Sequence, residues 1–442
     1  KLTLDATIQH LLEVELDSIV EESHPLRACI VAMDPMTGKV LGMGSRPSFD
    51  PNNYYDTKAE QRRNLATSMI YEPGSTFKII TGAIALEEKI IASEEKFNDP
   101  GYLKVGNKVI TNWDSEEKSH GVITFSDGMR LSSNVVLAQV GEKIGADVFY
   151  TYLKSFGFGS KTGIDISGEE RGLLIDKEKV KDIELATMSF GQANLVTPIQ
   201  LITAISAVAN GGNLYEPYLL DKIIDSKGEF VYEHEPIINK KVISKTTSSL
   251  MTDILESVVD DGTGKIAQIP GIKVAGKTGT AQKIDPVTKE YSETDYVASF
   301  VAYAPTDDPR IAVLVVIDTP EGDNIQGGRL AGPHVKKIIE GALQYYGISV
   351  ASNTPSDIND LDLEVNLRPD PEVVKPERSP GNGEAVVPNL KGLTIRQVGE
   401  ILGNLELKGN LVGSGLVIKQ SPQAGKVINK GDCVEVIFEP QK

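Results

Sequence analysis

The strongest constraint on the fold is where the strand signals fall along the chain. Near the start, residues 28–33 and 39–43 alternate or run apolar around the turn Pro35-Met36-Thr37-Gly38. Comparable signals return only late, at residues 273–281, 296–303 and 311–318, with Thr306-Asp307-Asp308-Pro309 turning the last two. Between Ser75 and Val259 the pattern is mainly helical, with loops rich in Gly, Asp and Asn. One antiparallel sheet must therefore be assembled from both ends of the first 350 or so residues. Helices flank it. One opens on the N-cap Asp5 and carries Ile8, Leu11, Leu12, Glu15 and Ile19; another runs from Pro333 to Tyr346 and stops at Gly347. The expected class is α/β, more strictly α+β: an antiparallel sheet flanked by helices, plus an all-helical subdomain. A cleft between the two would be a favoured ligand site.

A second break divides the chain. Across residues 349–384 the apolar periodicity fades, and Pro355, Pro369, Pro371, Pro376 and Pro380 alternate with acidic and amide residues. Such a stretch reads as a semi-stiff linker. Beyond it, residues 385–442 hold a small α+β unit. Thr394 and Gln397 would form a capping box ahead of Val398, Ile401, Leu402 and Leu405, and Val434, Val436 and Phe438 alternate as a half-buried strand. The expected organisation is a large domain over 1–348, the linker, and this module.

A formal charge of −17 over 442 residues argues against nucleic acid as a partner. The histidines (His10, His24, His120, His234, His334) show no pair at ligand spacing, so neither metal nor cofactor is expected. Cys29 lies in an apolar run and Cys433 far away in the end module, so no disulfide is expected. No apolar run reaches the roughly 18 residues that span a bilayer. The start Lys1-Leu2-Thr3-Leu4-Asp5 has no initiator Met and looks like a cut from a longer protein, so missing targeting signals carry no information.

Three short patterns carry the chemistry. In Glu72-Pro73-Gly74-Ser75-Thr76-Phe77-Lys78, Pro-Gly turns the chain into a helix whose first turn holds Ser75. Lys78 shares the helix face with Ser75 and can reach its hydroxyl. Residues 79–86 are apolar almost all round, so the lysine heads a buried helix and loses solvation. Its pKa should fall until it can take a proton from serine. The second pattern is Ser132-Ser133-Asn134, which alone is only a polar loop or helix cap. The third is Ala275-Gly276-Lys277-Thr278-Gly279-Thr280-Ala281 on a late strand. Its glycines leave the strand bare enough for another backbone to approach, and its lysine and hydroxyls suit a carboxylate.

Ser-x-x-Lys, Ser-x-Asn and Lys-Thr-Gly, in that order, form the motif set of penicillin-binding proteins and serine β-lactamases. The chain resembles a class B penicillin-binding protein over residues 1–347. Further likeness lies in Ser45-Arg46-Pro47-Ser48-Phe49-Asp50-Pro51, Ser189-Phe190-Gly191-Gln192, Ala209-Asn210-Gly211-Gly212 and residues 296–305. Ala302 stands where that family usually has Gly, and the middle motif reads Ser-Ser-Asn rather than Ser-Asp-Asn. Val387-Pro388-Asn389-Leu390-Lys391-Gly392 and Gln420-Ser421-Pro422-Gln423-Ala424-Gly425 resemble a PASTA domain, and a single such module is similar to sporulation-type or division-type members.

The resemblance implies the penicillin-binding and serine β-lactamase-like fold and a peptidoglycan D,D-transpeptidase without cofactor or metal. It implies Ser75 as nucleophile, Lys78 as base, Ser132 and Lys277 as the proton-relay pair, and Asn134 orienting the peptide amide. Thr278, Gly279 and Thr280 would bind the donor, with Thr280 also lending a backbone N–H to the oxyanion hole. Partners implied are D-Ala-D-Ala stem peptides, an amine acceptor, β-lactams, a membrane glycosyltransferase, and division or sporulation proteins. The location implied is the outer side of a bacterial cell membrane, by an N-terminal anchor. Two alternatives stay open: a D,D-carboxypeptidase or β-lactamase-type hydrolase with the same acyl-enzyme, and a non-catalytic wall-binding scaffold.

Overall fold

The computed structural model describes all residues except 115–118, 286–287, 289, 323–324, 351–377, 379, 382, 394, 414–415 and 440–442. Two compact units emerge, residues 1–353 and 354–442. The first is built on a five-stranded sheet of β1 (Arg27–Met33), β2 (Val40–Arg46), β3 (Ala275–Ile284), β4 (Tyr291–Ala304) and β5 (Ile311–Asp318), in the order β3-β4-β5-β1-β2. All neighbours pair antiparallel, and Arg27 on β1 stands opposite Asp318 on β5. The sheet does join the two ends of the unit.

Side chains alternate across a strand, and here they feed two different cores. Ala28, Ile30 and Ala32 of β1, with Val313, Val315 and Ile317 of β5, pack on α1 (Ala6–Ser23) and on a helix at Gly332–Tyr345. The opposite face carries Cys29, Val31, Met33, Leu314 and Val316. It packs beneath the central helices, among them α2 (Lys78–Glu87), α3 (Asn134–Ile144) and α4 (Pro198–Ala209). A strand covered on both faces must be apolar at consecutive positions, as β1 and β5 are. Asp5 caps α1 by accepting from the N–H groups of Thr7 and Ile8. Thr197 and Gln200 close a capping box on α4, a helix buried along its whole length.

The central region is helical but also holds two-stranded ribbons. Residues 96–99 pair with 121–124, 102–105 with 108–111, 213–215 with 238–241, and 222–224 with 230–233. The first two of these ribbons bear on the site described below.

In the second unit, residues 408–413, 433–439 and 416–421 form a small sheet, and a helix runs over Ile395–Asn404. Val398, Leu402, Val434, Val436 and Phe438 share its core, with Ile401 and Leu405 against it. The capping box of Thr394 with Gln397, and most of the proline-rich linker, lie outside the described residues. Cys29 and Cys433 are both free thiols. Among the described residues no helix is long and apolar enough to cross a membrane.

Candidate active site

Ser75 stands in a 3₁₀ turn, Gly74–Phe77, that runs directly into α2. Such a turn eclipses positions i and i+3, so Ser75 and Lys78 share one side. Lys78 is fully buried. Its Nζ donates to the Ser132 carbonyl at 2.7 Å, the Ser132 Oγ at 3.2 Å and the Asn134 Oδ1 at 2.8 Å. These bonds go to the second motif rather than to the Ser75 hydroxyl. Burial, and then the charge of Lys277, hold its pKa well below the ordinary lysine value against an opposing pull from Asp99. A neutral amine is thereby favoured, which is what a base needs.

Lys277 reaches the same hydroxyl from β3. Its Nζ lies 2.9 Å from the Ser132 Oγ and 3.3 Å from both the carbonyl and Oγ1 of Thr278. Burial pushes its pKa down to about 7. The Ser132 hydroxyl thus bridges two buried lysines.

Ser132 itself has φ of +60°, a left-handed backbone that L-residues adopt at a cost of roughly 1 kcal/mol or more. The next residue, Ser133, caps α3 through the Val136 N–H at 3.0 Å and donates to the Asp99 Oδ2 at 2.7 Å. Asn112 accepts at Oδ1 from the Asn134 N–H at 2.9 Å, and the Asn134 Nδ2 donates to the Thr111 carbonyl at 2.9 Å. The middle motif is both a helix cap and a polar centre.

The strand and the turn that holds Ser75 touch. A Cβ built on Gly74, whose φ is +55°, would lie 2.9 Å from the Thr280 carbonyl; one on Gly279 would lie 2.9 Å from the Pro73 carbonyl. The space that Gly279 clears on this edge strand is thus already taken by the turn carrying Ser75. Gly276 serves its own sheet instead: a Cβ there would meet Ala302 Cβ at 2.9 Å, so the missing Cβ makes room for Ala302. Thr278 is buried and donates to the Thr263 Oγ1 at 3.3 Å, while the exposed Thr280 accepts from the Gly327 N–H at 3.1 Å.

Just before the turn, Glu72 is buried. Burial pushes its pKa up to about 7, against bonds from the Ala193 N–H at 2.8 Å and the Tyr291 hydroxyl at 3.3 Å.

Lys78, Ser132, Asn134 and Lys277 are therefore gathered from α2, the α3 entry and β3, with Ser75 on the turn that leads into α2. Not anticipated were Asp99, Asn112, His120, Glu72 and Thr263. They come from four-residue strands, the loops beside them and other short connections, where no periodic pattern marks them.

Comparison with known proteins gives the family. A family model described as the penicillin binding protein transpeptidase domain matches residues 28–340, and a PASTA domain model matches 385–440. Stage V sporulation protein D of Bacillus subtilis is 38% identical over 99% of this chain and 64% of its own length. The probable peptidoglycan D,D-transpeptidase PenA of Neisseria gonorrhoeae is 32% identical over 79% of this chain and 57% of its own length. The chain thus spans less than two thirds of these relatives. Among solved structures, penicillin-binding protein 3 of Mycobacterium tuberculosis in complex with aztreonam aligns with a TM-score of 0.73 at 28% identity, over 79% of this chain and 80% of that one. The transpeptidase domain of Burkholderia pseudomallei penicillin-binding protein 3 aligns with a TM-score of 0.68 at 28% identity, over 80% of this chain and 98% of that one.

Proposed function

Because the chain belongs to the penicillin-binding protein transpeptidases and ends in a PASTA domain, we propose that it is a serine D,D-transpeptidase that cross-links peptidoglycan stem peptides. The observation that carries this reading is the buried, hydrogen-bonded series Lys78–Ser132–Lys277 beside the turn that holds Ser75.

The chemistry follows from that arrangement. Ser75 Oγ attacks the penultimate D-Ala carbonyl while neutral Lys78 takes its proton. Backbone N–H groups of Ser75 and Thr280 hold the developing oxyanion, worth about 3 to 4 kcal/mol per donor. The C–N bond then breaks, Ser132 passes a proton to the departing D-Ala amine and takes one from protonated Lys78, and Lys277 stabilises the charges in this relay. An acceptor amine attacks the acyl-enzyme and gives a proton to the base; the acyl–oxygen bond breaks, and that proton passes to Ser75 Oγ, which is freed. Asn134 orients the donor amide, and Thr278 and Thr280 take the terminal carboxylate, exchanging their present hydroxyl and N–H partners for it. The strained ring of a β-lactam would acylate Ser75 in the same way.

The substrate lies outside the cytoplasmic membrane, so this reading puts the domain on that side, tethered by an N-terminal anchor beside a glycosyltransferase. The likeness to stage V sporulation protein D over 99% of this chain favours a role in spore-cortex synthesis over septal wall synthesis. Labelling with a fluorescent penicillin on a denaturing gel tests the core of the reading. A stable band should form on the native chain and vanish in Ser75→Ala; a band that survives in the variant would refute the nucleophile.

A further inference from the structure

Behind Ser132 and Asn134 lies a polar cluster that the reaction does not touch. Asp99, fully buried, takes hydrogen bonds from Ser133 Oγ at 2.7 Å, Asn112 Nδ2 at 2.9 and 3.0 Å, the Gly101 N–H at 3.0 Å and His120 Nδ1 at 2.8 Å. The other ring nitrogen of His120 lies 3.0 Å from Asp114 Oδ2. An imidazolium donates to both carboxylates at once. Burial lowers the proton affinity of His120, but bonds to Asp99 and Asp114 outweigh that and raise its pKa above the usual histidine value.

This cluster holds both residues that follow Ser132. Asp99 fixes the side chain of Ser133, and Asn112 fixes the backbone of Asn134 and Val135. Ser132, in its left-handed conformation, depends on such surroundings to stay there. A serine cap needs no carboxylate behind it, and a buried carboxylate is costly unless it is paired. The charge calls for a reason beyond capping, and Lys78 supplies one: Asp99 is the anionic group that offsets burial and Lys277 at that amine.

We propose that the Asp99–His120 pair, bracketed by Asp114, is the positioning device of this active site: through Ser133 and Asn112 it sets Ser132 and Asn134 against Lys78, and through the Asp99 carboxylate, partly offset by His120, it tunes Lys78 as a base. The inference rests on the transpeptidase reading above. The charged groups involved are Lys277 and Asp99 facing Lys78, His120 facing Asp99, and Asp114 facing His120. The signs follow directly. Neutralising Asp99 removes the charge that helps Lys78 keep its proton, so the acid limb of the acylation profile moves to lower pH. Replacing His120 by glutamine keeps a donor but leaves Asp99 without its counter-charge, so the limb moves to higher pH.

The test measures second-order acylation of the full chain by a fluorescent penicillin across pH, together with melting temperature, for wild type, Asp99→Asn and His120→Gln, with Ser75→Ala as blank. Both variants should acylate roughly 10- to 100-fold more slowly at their plateau, with acid limbs displaced in opposite directions. Limbs that stay in place, whatever happens to plateau or melting temperature, would reduce the cluster to structural support and overturn the proposal, as would displacement in one direction only. Should Asp99→Asn fail to fold, the upward displacement in His120→Gln decides alone. A wild type that takes no label at all would instead refute the transpeptidase reading itself.

Discussion

Replacing Gly279 by alanine tests whether the nucleophile turn is set by its contact with β3. The added Cβ would lie 2.4 Å from Ser299 Oγ, 2.9 Å from the Pro73 carbonyl oxygen and 2.9 Å from Thr76 Cγ2. Ser299 can swing aside. The Pro73 carbonyl is backbone, two residues before Ser75, and can move only with the turn. An ordinary carbon–oxygen contact is about 3.3 Å or longer, so the turn must retreat by roughly half an ångström. Overpacking of this kind costs about 1–3 kcal/mol, or roughly 1–4 °C in melting temperature for a domain of this size. Displacing the attacking hydroxyl as well should slow acylation by roughly 10- to 100-fold. Gly276→Ala is the control. Its Cβ would be crowded by Val301, Ala302 and Phe300 within the sheet and side, not by the turn. It should lower the melting temperature and leave the acylation rate of the folded fraction near wild type. Wild-type acylation by Gly279→Ala, or equal slowing in both variants, would refute the argument.

Other outcomes follow from the same geometry. Acylation should rise with pH as Lys78 loses its proton, then fall as Lys277 deprotonates around its lowered value of about 7; Lys277→Arg, which keeps its charge, should flatten the alkaline fall in a rate-against-pH profile. Ser132→Ala removes the hydroxyl shared by both lysines and should cut acylation by roughly 100-fold or more, measured by penicillin labelling, with near-native circular dichroism. Ser133→Ala deletes a helix cap and a donor to buried Asp99, and should destabilise by about 2–4 kcal/mol in denaturant titration. Ending the chain at residue 353 should leave penicillin labelling intact, because each compact unit has a core of its own.

The sheet was legible because its strands are long and bounded by clear turns, and because β1 and β5 are apolar enough to demand cover on both faces. The three motifs are legible because their residue types are matched to their chemistry, and the apolar helix that follows Lys78 marks it as buried. The ribbons at 96–124 escaped notice, since four residues are too few to show alternation. With them went Asp99, Asn112 and His120, whose bonds to one another and to Ser133 and Asn134 span 13 to 34 residues of chain. In the sequence Gly279 reads as clearing space for a visiting backbone; the structure fills that space with Pro73. Sequence shows that a side chain is missing, but not which neighbour needs the room.

The pairing of β1 with β5 has a consequence for how the molecule is made. Arg27 and its partner Asp318 are 291 residues apart, and contacts so distant in the chain form slowly because the intervening loop must close first. Synthesis delivers β1 and β2 early, and that hairpin must wait with an unsatisfied apolar edge until the last strands arrive. During that interval it is a template for wrong pairing. Ser75 and Lys78, made early, meet Lys277 only when the sheet closes. No shorter nascent product can therefore react, and reactivity becomes a signal that the domain has been completed.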